Sequence, residues 1–104
     1  MAELSTLIED LLAEANRDLT HAVGDSSLCA VSKTGGRVDA VKYLEGRTSA
    51  LREVRREGPD ALTRVESEWR SQLDRVLETE MGPDWLAYRA GGADVLAELL
   101  SNLS

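Results

Sequence analysis

Apolar residues recur every three or four positions along most of this chain, the spacing of one face of a helix. Leu4, Leu7, Ile8, Leu11, Leu12, Ala15, Leu19 and Ala22 form one continuous stripe. A second contains Ala40, Tyr43, Leu44, Leu51 and Val54, and a third Leu62, Val65, Trp69, Leu73, Val76 and Leu77. The fourth contains Trp85, Tyr88, Val95, Leu96, Leu99 and Leu103. Two Gly-Pro-Asp tripeptides separate the later stripes, at Gly58-Pro59-Asp60 and Gly82-Pro83-Asp84. Gly suits the residue just past a helix, Pro cannot continue it, and Asp then serves the next helix near its start. The pattern predicts a single all-α domain over residues 1–104, with helices near 4–23, 38–57, 60–81 and 84–103. Such segments fold most economically as a small, up-and-down antiparallel four-helix bundle.

Two places test that reading. The segment 24–37 ends in a Gly pair and is expected to be a loop; its Leu28–Val31 stretch is a strand candidate too short and isolated to make a sheet. Gly91-Gly92 could split the last helix. Because Gly92 falls on the apolar side, a close helix approach there favours one uninterrupted helix.

Four charges interrupt the apolar stripes, one per helix: Asp18, Arg47, Glu66 and Arg89. An ion in an apolar interface must pair, reach water along its stem or contact a ligand. Pairing across helices would fix their register with little net stabilisation. Antiparallel packing about Gly58-Pro59 would bring Arg47 within reach of Glu66. A polar pocket for a small anion, or residues at the stripe edge reaching solvent, are the alternatives.

Charge changes the picture further. The chain carries a formal −7, yet Ser32 to Arg56 holds seven bases against three acids. Lys42, Arg52 and Arg56 share the polar side of the second helix with Asp39, Glu45 and Glu53. Spacings such as Asp39 to Lys42 and Glu53 to Arg56 support an exposed helix by roughly 0.2–0.5 kcal/mol each. A phosphate-gripping surface would exclude those acids, and the overall acidity repels polyanions, so nucleic acid through segment 33–56 is disfavoured. The Ser32–Arg37 run lacks phosphate-loop spacing. No apolar run approaches membrane-spanning length and the acid-rich start does not read as a signal peptide, so a cytoplasmic location without a membrane partner is expected.

Catalytic chemistry is sparse. With His21 as its one histidine and Cys29 as its one cysteine, the chain has too few ligands for a structural zinc site. Cys29, among Leu28, Ala30 and Val31, reads as a small buried residue, and His21 as a last-turn residue facing the helix dipole. No metal, cofactor or enzymatic activity is expected. Trp69 and Trp85 fall on inner faces, and the Leu-dense C-terminus carries more apolar surface than four short helices need. The resulting expectation is a protein–protein interaction or self-association module, an adaptor, regulator or assembly component, with a homodimer as its simplest form. Arg52, Arg55 and Arg56, with Leu96, Leu99, Leu100 and Leu103, are the candidate partner-binding residues. A small-molecule or anion-binding domain using Asp18, Arg47, Glu66 and Arg89 is the alternative. A nucleic-acid-binding regulator is the third reading.

Overall fold

The computed structural model describes residues 2–23, 29–32, 36–79 and 81–102. They hold α1 (Ala2–Val23), β1 (Cys29–Ser32), β2 (Gly36–Asp39), α2 (Ala40–Glu57), α3 (Leu62–Thr79) and α4 (Pro83–Asn102). A single 3₁₀ turn, Pro59–Ala61, precedes α3.

The helix ends follow from local chemistry. Asp39 caps α2 with extended backbone angles, and its Oδ1 accepts the Lys42 backbone N–H at 2.9 Å. A cap of this kind is worth about 1 kcal/mol. Gly58 closes α2 at φ 100°, donating its N–H to the Val54 carbonyl at 2.8 Å, and Gly82 stands at φ 119° before α4. A side chain would strain both positions, so both tripeptides work as punctuation.

The expected loop 24–37 contains more order than its composition implies. Cys29–Ser32 pairs antiparallel with Gly36–Asp39, with Ala30 opposite Val38 and Val31 opposite Arg37. The strand candidate is therefore not isolated. Its partner was hidden because Val38 and Asp39 also suit the approach to a helix. The hairpin lies against α2 and α4 at the edge of the helical body, and Val38 is buried there.

Successive helices run antiparallel. Glu9 of α1 meets Arg55 near the end of α2, Glu53 and Glu57 of α2 meet Trp69 and Arg64 of α3, and Leu73 of α3 packs with Ala90 and Ala93 of α4. The diagonal pair, α2 and α4, nevertheless makes the most extensive contact, while α2 and α3 touch chiefly near their connection. Two glycines permit this. A Cβ on Gly46 would collide with the Tyr88 carbonyl, and one on Gly91 with the Tyr43 carbonyl. The backbones cross in direct contact there. Gly92 leaves its space to the ring of Trp69, and α4 continues unbroken through both glycines.

As the central element, α4 is buried on several sides, at Ala87, Ala90, Ala93, Val95, Leu96 and Leu99. A helix apolar around much of its circumference belongs inside. All four helices feed the main core: Leu4, Ile8 and Leu12 meet Ala50, Leu51 and Val54, and Val65 and Trp69 meet Val95, Leu96 and Leu99. Each fully buried Leu or Val contributes roughly 1.5–3 kcal/mol relative to an exposed one. Among the described residues, no helix is long and apolar enough to cross a membrane.

Candidate functional site: a groove between α3 and α4

On α2, Tyr43 and Arg47 stand one turn apart; on α4, Asp94 and Glu98 do the same. The two pairs face one another. The Tyr43 hydroxyl donates to Asp94 Oδ2 at 2.7 Å, and Arg47 Nη2 donates to Glu98 Oε2 at 2.8 Å. Both rungs join residues 51 apart, so α2 and α4 run in the same sense along this face. The Arg47 guanidinium also lies 5.8 Å from the centre of the Tyr43 ring. Burial, then the Asp94 carboxylate, pushes the Tyr43 hydroxyl up to about 12. Burial opposes the charge on Arg47, but Glu98 and Tyr43 outweigh it and raise its pKa.

Asp94 and Glu98 also border a groove of about 640 Å³ between α3 and α4. Leu73, Leu77, Ala93 and Ala97 give it an apolar lining; Arg70, Asp74, Asp94 and Glu98 add charge, and Ser101 and Asn102 complete one end. The small side chains of Ala93 and Ala97 leave the space that a Leu would fill. Arg70 Nη2 approaches Glu66 Oε2 at 2.8 Å. That oxygen is buried and out of line for a hydrogen bond, so the contact is an ion pair alone. Leu77 is 47% exposed and also lines a smaller depression with Val76, Pro83 and Leu86; Met81 and Trp85 are 52% and 48% exposed.

A second cluster surrounds Arg89. Its guanidinium carbon lies 5.0 Å from the Trp69 ring centre, 5.3 Å from Tyr88 and 5.7 Å from Trp85. Trp85 meets Tyr88 edge-on at 6.3 Å. Stacking against aromatic faces lets a cation lie partly out of water at modest cost.

The four charges singled out from the sequence therefore do not form one network. Asp18 is exposed. Arg47 pairs with Glu98 rather than Glu66, because α4, not α3, lies against that face of α2. Glu66 is 8% exposed beside Arg70 of its own helix, and Arg89 is held by rings. The leucine row serves the core: Leu96 and Leu99 are fully buried, and Leu100 packs against the main cluster. Leu103 lies outside the described residues. Arg52 is exposed, Arg55 reaches Glu9 at 3.2 Å, and Arg56 lies beside Glu57. Glu53 accepts the Trp69 indole N–H at 2.9 Å. Trp69 is buried as expected, but Trp85 is not. His21 is exposed in the last turn of α1, and the side chain of Cys29 lies outside the described residues.

Tyr43, Gly46, Asp94 and Glu98 were not distinguished as site residues by their stripes. A matching one-turn spacing of donors and acids on two helices was the available signal, and it needs the partner order to be read. Among the described residues, no group of three His, Cys, Asp or Glu side chains is arranged to hold a metal ion. Comparison with protein-family models, with curated proteins and with solved structures gave no match to this chain.

Proposed function

We propose that this chain is a protein-binding module, working in the cytoplasm as an adaptor, regulator or assembly component, and that it acts by binding rather than catalysis. The observation that carries the reading is the open α3–α4 groove, with its apolar lining and charged margin. Fixed walls favour this use: the Tyr43–Asp94 and Arg47–Glu98 rungs tie one side of the groove to α2. The carboxylates along its margin disfavour small anions as ligands. Nucleic acid is disfavoured in turn because Lys42 lies beside Glu45, Arg47 is paired inside, and Arg55 is paired with Glu9. Ala97→Trp should fill the groove while leaving the main core intact. The proposal expects proteins that co-purify with the wild-type chain from its native cells to be lost with the variant; the same set retained by both sinks it.

Pairing of two copies is a second reading, favoured by the exposed Leu77, Met81 and Trp85 near the α3–α4 connection. It predicts a dimer in light scattering, converted to monomer by Leu77→Glu. A strictly monomeric wild-type protein at high micromolar concentration removes it.

A further inference from the structure

Within the protein-binding reading, on which this inference rests, we infer that the α3–α4 groove accepts a basic amphipathic helix from another protein. Its shape, lining and charge each narrow the occupant. The α4 side of the groove extends from Ala93 to Asn102. At the helical rise per residue this is about 14 Å, room for two to three turns of a docked helix. The lining is apolar where anchor side chains at i, i+3 or i+4, and i+7 would insert, and Ala93 and Ala97 leave depth for residues of Leu or Met size.

Charge decides the class. In and behind the groove margin, Glu66, Asp74, Asp94 and Glu98 oppose Arg47 and Arg70, four carboxylates against two guanidiniums. The local excess is negative, in a chain of formal charge −7. A Lys- or Arg-flanked helix meets complementary charge at this margin while its apolar row meets Leu73 and Leu77. An acidic helix faces repulsion from the same carboxylates. Two copies docked groove to groove would oppose their own Asp74, Asp94 and Glu98, so a foreign basic partner fits this surface better than the chain itself.

The test uses two synthetic amphipathic peptides of about 18 residues, five helical turns, with identical Leu rows. One carries Lys at every polar position and the other Glu. Each is titrated into the ¹⁵N-labelled 104-residue chain while the backbone amides are followed. The Lys peptide is expected to shift amides of residues 70–77 and 93–102, and its binding should weaken as salt rises from about 50 to 500 mM. Asp74→Lys, an exposed substitution that does not threaten the core, should weaken it about tenfold, and Ala97→Trp should abolish it. The Glu peptide should leave these amides unmoved. Equal binding of both peptides at the groove overturns the charge inference while the protein-binding reading stands. Groove amides that respond to neither peptide, or that shift only with protein concentration as a dimer forms, overturn the basic-helix proposal.

Discussion

Burial and the neighbouring Asp94 carboxylate both disfavour the ionised form of Tyr43, holding its pKa near 12 against an ordinary 10. Because the folded value lies above the unfolded one, the native state favours the protonated hydroxyl. The associated stability is fully present below pH 10 and is lost as pH rises through about 12. Urea unfolding of wild type and Tyr43→Phe between pH 9 and about pH 12 should show this difference: the variant lacks the part of the decline due to Tyr43. At neutral pH it should be about 1 kcal/mol less stable, since Asp94 loses a donor. Glu66 should respond in the opposite direction. Its Oε2 is buried without a hydrogen bond, whereas its neighbour Arg70 is largely in water. Glu66→Leu therefore removes a desolvated carboxylate and leaves Arg70 solvated. An increase of up to about 1 kcal/mol in unfolding free energy is expected; a clear loss would show that the ion pair contributes more than its burial costs.

At the scale of elements, the four apolar stripes and the two Gly-Pro-Asp breaks foretold the helices to within a few residues. Periodicity records which side of a segment avoids water, and that property is local. It does not record which neighbour supplies the cover, so the direct contact of α2 with α4 was not legible. Nor was the hairpin, where two four-residue strands carry too few alternations to stand out. The crossing itself is open to test. Ala normally favours a helix over Gly by up to about 1 kcal/mol. At Gly46 or Gly91 the added methyl would meet the opposite backbone, and separating the helices costs more than propensity returns. Gly46→Ala and Gly91→Ala should each destabilise by about 3 kcal/mol in chemical denaturation. A neutral or stabilised variant would place the close approach elsewhere.

Across the whole molecule, the two tryptophans have unlike surroundings. Trp69 is buried, with its indole N–H bonded to Glu53, while Trp85 is half in water beside Arg89. Acrylamide should quench the fluorescence of the Trp69→Phe variant strongly and that of Trp85→Phe weakly; equal quenching would contradict this arrangement. Trp69→Phe should also be less stable, because it leaves Glu53 without its indole donor. The sequence alone determined where helices begin and end, to within a few residues, and that the chain is strongly acidic, because those properties depend on adjacent residues or simple sums. Tertiary structure decided that Arg47 faces Glu98, that Leu96 and Leu99 turn inward, and that Ala93 and Ala97 leave a groove open. These depend on which helices touch, and that choice was made by the absence of two side chains, at Gly46 and Gly91, which let α2 and α4 approach where bulkier residues would have held them apart.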